Sequence, residues 1–147
     1  MLSILVQIIL AYIVIDAITG IYHIVTDKGW NPFRSQNELF QHHHKENSMD
    51  YFDFRPSLAA LPMLFLGWWI ASPFLIALSI FGVFSQLPHY WAHQHSNNIA
   101  VIWLQELRLI ISRDSHQQHH SGDFNRNFCI INGWNNWWLN WIANKLF

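Results

Sequence analysis

Residues 2–25 read LSILVQIILAYIVIDAITGIYHIV, and this stretch decides the fold. It is long enough for a transmembrane helix, which needs ~20 mainly apolar residues at ~1.5 Å rise each. A secretory leader fits poorly. A basic start and a small-residue cleavage site are missing, and the stretch runs into Asp16 and His23. Charge placement marks a second embedded region. Residues 1–15 and 56–105 carry no Asp, Glu, Lys or Arg, and all eight Lys and Arg fall in 28–55 and 106–147. Charges are costly in hydrocarbon and cheap outside it, so two embedded regions and two wet ones are predicted.

A straight helix from Leu58 to Trp91 would be ~50 Å long, against a hydrocarbon core of ~30 Å. Ser72-Pro73 supplies a break, because proline disfavours helix at the residue before it. A hairpin of helices over 57–71 and 73–94 is therefore expected. It returns the chain to the face it left, so histidines after the first span and histidines after the hairpin share one side with the basic residues. Residues 28–56 read as a wet loop punctuated by Pro32 and Pro56. Residues 99–112 predict a short interfacial or core helix. Residues 128–147 mix four Trp with Asn and predict a membrane-surface segment. The expected fold is an all-α integral membrane protein, one domain over 1–147. About three hydrophobic helices plus interfacial helices would surround a histidine-rich di-metal site. A net charge of −1 without a basic run excludes nucleic-acid binding, and the single Cys129 excludes an internal disulfide or a thiolate cage.

The ten histidines gather into clusters: His23 with Asp27, His42-His43-His44, His89 with His93 and His95, and His116 with His119 and His120. Neutral imidazole is the commonest metal ligand near neutral pH. His89 and His93, like His23 and Asp27, are spaced i, i+4 and share a helix face. His43 and His44 are adjacent, so on a helix they serve two ions, or one ion and a supporting hydrogen bond. One zinc uses about three or four protein ligands, too few for this set. Beside membrane spans the abundant substrate is an alkyl chain, whose C–H bonds require oxygen activation that iron performs and zinc does not. Two non-haem irons are thus expected. A lipid hydroxylase on the same ligands, a zinc hydrolase and a non-catalytic metal- or haem-holding membrane protein are the rivals. His42 and His95 read as surface residues, and Asp16 as a buried hydrogen-bonding group or part of the approach to the site. Trp68, Trp69, Phe84 and Trp91 are candidates to line a slot for the lipid chain.

Several motifs in one order resemble those of the Kua-type lipid desaturases, the plasmanylethanolamine desaturase-like family. Asp16 to Asp27 is similar to the family's D-x3-G-x2-H-W-x2-D opening, with Gly20 and His23 in place. Phe40 to His44 resembles F-x2-H-H, with Asp53-Phe54 following. Gln86 to His93 resembles Q-x2-H-x-W-x-H, and Leu104-Gln105 an L-Q helix. His116 to His120 resembles H-x2-H-H, and Phe128 to Asn136 resembles F-C-I-T-x-G-W-x-N. The likeness runs from about residue 12 to about 137. It departs at Phe52, Ser115 and Phe124, where relatives carry histidine, and in a short connector around Ser72.

The resemblance implies a membrane-embedded di-iron desaturase that uses O2 to introduce a double bond into a lipid chain, for example turning an alkyl ether lipid into a vinyl ether. It implies His23, His43, His44, His89, His93, His116, His119 and His120 as iron ligands, with Asp27 a ninth ligand or a group that supports one. Where a missing family histidine is a ligand in relatives, either His42 or His95 would substitute for it or a site would be incomplete. Electrons are expected from an external donor, a ferredoxin or a cytochrome b5-like protein. The expected location is the bacterial inner membrane or the endoplasmic reticulum.

Overall fold

The structure, a computed structural model, describes residues 3–30, 38, 42–45, 49, 55–121 and 125–146. Every regular element among them is helical. The order is α1 (Ile4–Asp27), a 3-10 turn (Arg55–Ala60), α2 (Leu61–Trp69), α3 (Pro73–Val83), α4 (Gln86–His93), α5 (Ile99–Glu106), α6 (Arg113–His120) and α7 (Asn136–Leu146). Residues 42–45 form a further helical turn.

The first span runs where the apolar stretch predicts it. Ser3 caps its start by accepting from the Val6 N–H at 3.3 Å. Its end is a Schellman turn. Gly29, at φ 70°, donates to the Thr26 carbonyl, and Trp30 donates to Val25. The helix therefore stops just after Asp27.

The hairpin breaks at Ser72, as the Ser-Pro pair predicts. Ser72 caps α3 through the Leu75 N–H, and Pro73 fills the first helical position. The legs differ from expectation. The first is a 3-10 turn and nine residues of α-helix rather than one helix over 57–71. The second bends at Phe84–Ser85, dividing α3 from α4. Pro88 explains the bend: it has no N–H for the Phe84 carbonyl, which accepts from Leu87 instead. The legs touch at Gly67, where an added Cβ would lie 2.9 Å from the Ile76 nitrogen and from the Leu75 Cβ.

Two helical runs, Ile4–Asp27 and Pro73–His93, are long and apolar enough to cross a membrane, and Ser57–Trp69 is a shorter apolar helix. This is the expected all-α architecture of about three hydrophobic helices, two of which, among the described residues, are long enough to span. Ile4, Leu5, Ile9, Phe65, Trp68 and Trp69 are exposed, an apolar belt that suits lipid rather than water.

Two small cores tie the helices together. Ala11 and Ile15 of α1 meet Ala77 and Leu78 of α3 and Ile130 and Ile131; lower down, Ile24 meets Phe128, Cys129, Leu139 and Ala143. Residues 128–131 are thus buried between α1 and α7, and correct the expectation of a membrane-surface segment over all of 128–147. The tail's exposed tryptophans follow that buried stretch, Trp134 ahead of α7 and Trp137 and Trp141 on it. The helix expected over 99–112 ends at Glu106. Arg108 takes the left-handed conformation (φ 56°), and a second Schellman turn closes through Leu109 to Leu104. Tyr12 and Trp134 explain the stop: the Tyr12 hydroxyl donates to the Leu109 carbonyl, and the Trp134 indole donates to Arg108. Ile111 then enters the core and donates to the Ile131 carbonyl at 2.7 Å.

Candidate metal centre

Four separate segments deliver donors to one place. α1 brings His23 and Asp27 at its C-terminal end, the 42–45 turn brings His43 and His44, α4 brings His89 and His93, and α6 brings His116, His119 and His120. They sort into two sets. One is His43, His89, His93, His116 and His120; the other is His23, Asp27, His44 and His119. Within each set the donor atoms lie within 4.8 Å of one another. The neighbours His43/His44 and His119/His120 are split between the sets. The sets therefore lie side by side, with the rings of His44 and His120 5.0 Å apart.

Ring nitrogens face inward at short distances. In the larger set Nε2 of His93 is 3.3 Å from Nε2 of His89 and 2.8 Å from that of His116, which is 3.1 Å from that of His120. In the smaller set Nε2 of His44 lies 3.4 Å from His23 and 3.2 Å from His119. Nitrogens about 2.1 Å from one ion stand about 3.0 Å apart at octahedral angles and about 3.4 Å apart at tetrahedral ones. The observed spacings match the edges of such polyhedra.

The tautomers make the case stronger. His23 Nδ1 donates to the Phe128 carbonyl at 3.0 Å, and His119 Nδ1 to the Arg126 carbonyl at 2.7 Å. With the proton on Nδ1, each Nε2 turns a lone pair inward. These lone pairs meet the Asp27 carboxylate, whose oxygens lie 3.6 Å from His23, 3.4 Å from His44 and 3.3 Å from His119. Neither Asp27 oxygen has a hydrogen-bond donor in proper geometry, though the side chain is buried. The carboxylate also sits at the negative end of the α1 dipole. Lone pairs, carboxylate and helix end all call for a cation. The residues fit a metal pair, with five imidazoles for one ion and three imidazoles plus a carboxylate for the other.

Burial keeps the imidazoles in the neutral form that metals need. It pushes His44 down to about 3 and His120 to about 2, with neighbouring imidazoles adding to the effect. It also holds His116 well below the ordinary histidine range.

All nine predicted ligand positions fall in the two sets. His42 and His95 do not: both are exposed, and His95 Nδ1 pairs with the Arg113 guanidinium at 2.9 Å. Phe40, Phe52, Asp53, Phe54 and Phe124 lie outside the described residues. Ser115 contributes its carbonyl, to the Asn127 side chain. Asp16 is a buried hydrogen-bonding group. Its Oδ1 accepts from the backbone of Asn132 and Gly133, and its Oδ2 from the backbone and side chain of Asn135. The four aromatics suggested for a lipid slot divide into two pairs. Trp68 and Trp69 are 81% and 85% exposed on α2. Phe84 and Trp91 line an apolar cavity of about 180 Å³ with Tyr12, Phe81, Ser85, Leu87, Pro88 and Ile131. Leu87 and Trp91 share the side of α4 opposite His89 and His93, so this cavity lies behind the metal-facing surface. Sequence reasoning missed the second layer: the carbonyls of Arg126 and Phe128, and Gln86, whose Oε1 is 3.3 Å from Nδ1 of His89. A carbonyl has no sequence signature, because every residue carries one.

The family model of the lipid desaturase domain matches residues 12–144. The chain belongs to the lipid desaturase family. Among curated proteins it is 30% identical over 143 residues to the chloroplastic fatty acid desaturase 4 of Arabidopsis thaliana, covering 85% of this chain and 44% of that protein. It is 27% identical over 156 residues to the plasmanylethanolamine desaturase of Myxococcus xanthus, covering 88% and 53%. The chain thus spans about half the length of these relatives. No solved structure matches it. This lipid desaturase-family chain carries the histidine pattern on a helical frame, in a membrane context that suits a lipid substrate.

Proposed function

We propose that the protein is a di-iron lipid desaturase, formed by residues 1–147 as one unit. It introduces a double bond into an alkyl or acyl chain, for example converting an alkyl ether lipid to a vinyl ether. The carrying observation is the convergence of the two donor sets, His43/His89/His93/His116/His120 and His23/Asp27/His44/His119. Iron, when bound, supplies the oxygen activation that an unactivated C–H bond requires. The balance is simple: the lipid gives up two hydrogens, and O2 with two electrons and two protons becomes two waters. The electrons come from an external donor, a ferredoxin or a cytochrome b5-like protein.

The chain's own part is to hold and insulate. Buried neutral imidazoles offer lone pairs, and Asp27 offers the single negative charge of the smaller set. The carbonyls of Arg126 and Phe128 fix the rings of His119 and His23. The apolar belt supports a membrane setting, where the lipid is the medium, and the proposed membrane is a bacterial inner membrane or the endoplasmic reticulum.

Elemental analysis combined with lipidomics tests the reading in cells expressing the wild type or His119→Ala. Two irons per chain and a lipid lighter by two hydrogens, both reduced in the variant, are expected. A lipid heavier by one oxygen would convert the reading to a hydroxylase. Zinc in place of iron, or an unchanged lipid profile with both irons retained, would overturn it.

A further inference from the structure

The Asn residues of the tail are not explained by ligation, and two of them sit directly behind the smaller donor set. The rings of His23 and His119 are held by carbonyls only two residues apart, Phe128 and Arg126. The residue between, Asn127, has φ 60°, a left-handed conformation that ordinary L-residues avoid and that Asn tolerates best after Gly. Four hydrogen bonds hold it there. Its N–H donates to Asn140 Oδ1 at 2.7 Å, and its Oδ1 accepts from Asn140 Nδ2 at 3.4 Å. Its own Nδ2 donates to the Ser115 carbonyl and to Gln118 Oε1, each at 3.1 Å. Ser115 and Gln118 belong to α6, which carries His119, and Asn140 belongs to α7. Asn127 thus staples two helices to the stretch whose carbonyls orient two ligands.

We propose that Asn127 and Asn140 are positioning residues for the carboxylate-containing metal position, acting through the Arg126 and Phe128 carbonyls. The inference rests on the two-ion reading above. It is selective. In the five-imidazole set the Nδ1 partner of His89 is Gln86, and among the described residues His116 and His120 have no Nδ1 hydrogen-bond partner, so these three rings are not oriented by the 126–128 stretch. Partners that orient a ligand typically contribute 10–100-fold to metal affinity.

The test follows release of iron from the purified, ferrous-loaded protein into a colourimetric ferrous chelator. For Asn140→Leu and Asn127→Gly, one of the two irons should leave about 10–100-fold faster and the other at the wild-type rate. Asn127→Gly keeps the left-handed backbone and loses only the side-chain bonds. Gln118→Ala, milder and away from the core, should show the same selective effect at smaller size should Asn140→Leu not fold. Trp138→Phe, which loses only a bond to Asn135 in the loop just before α7, should release both irons normally. Wild-type release from the folded Asn variants, or equal acceleration of both irons, overturns the inference. A wild type that holds no iron overturns the two-ion reading itself.

Discussion

His44 and His120 show how a single side chain is tuned here. Burial, then neighbouring imidazoles, lowers them to about 3 and about 2. In the unfolded chain they titrate near ~6.5. Between these values the unfolded state binds protons that the folded state refuses, so stability falls as pH drops below ~6.5 and keeps falling towards the folded values. Thermal unfolding of the metal-free protein should therefore show a Tm that declines from pH 7 to pH 4. A flat profile would mean that these rings are solvated. Metal binding adds to the slope, since protons compete for the same lone pairs. At Asp27 a different substitution separates charge from shape. Asp27→Asn keeps the volume and removes the single negative charge of the smaller set. We expect iron content to fall from two towards one per chain, measured by elemental analysis, with the five-imidazole position retained.

Elements are set by their ends. Three helices, α1, α2 and α5, finish in Schellman turns, with Gly29, Ala71 and Arg108 at the left-handed position. Only the first uses glycine. Ala71 (φ 49°) bears a steric cost of ~1–2 kcal/mol, partly offset by the smaller entropy loss of alanine. Ala71→Gly should stabilise the hairpin by about 0.5–1 kcal/mol, seen as a small rise in Tm in detergent. Gly67→Ala acts the other way. Its new methyl would meet the backbone of the opposing leg at 2.9 Å, and backbone cannot step aside as a side-chain tip can. A loss of about 1–3 kcal/mol is expected, the usual cost of overpacking, and an unchanged Tm would show that the legs do not pack this closely.

The whole molecule is joined by Asp16. From the middle of α1 its carboxylate accepts three backbone N–H groups and one side-chain amide of the 132–135 loop, and Asn135 also donates to the Ile13 carbonyl. Asp16→Ala would leave several buried donors without an acceptor, at about 1–3 kcal/mol each. We expect it to loosen α7 and the 128–131 segment from α1. The measurement is hydrogen exchange, with faster exchange at 128–135 than in the wild type. At the outer surface Trp137 and Trp141 stand one helical turn apart, 77% and 62% exposed, and suit the headgroup level. Replacing both with Phe should reduce fluorescence quenching by lipids brominated near the headgroup. No change would place α7 in water.

The periodic parts of this architecture are legible without coordinates. The apolar run of 2–25, the Ser72-Pro73 break and the i, i+4 histidines each carry a local physical signal, in side-chain transfer energy, backbone sterics or helix period. The adjacency of His43 and His44 even sets out the choice between two ions and one. The same signals mislead where a distant partner wins. Residues 107–112 look helical, yet Tyr12 and Trp134 take the carbonyls at the turn. The Trp-rich tail looks superficial, yet Phe128 and Cys129 are fully buried.

Composition and spacing alone determined that this chain is helical, membrane-embedded and rich in metal donors. Only the tertiary structure decided how nine donors divide into five and four, and which carbonyls and asparagines aim them. The reason is range: helix and span follow from neighbours along the chain, whereas the direction of a ring nitrogen follows from groups as many as 105 residues away, as Phe128 is from His23.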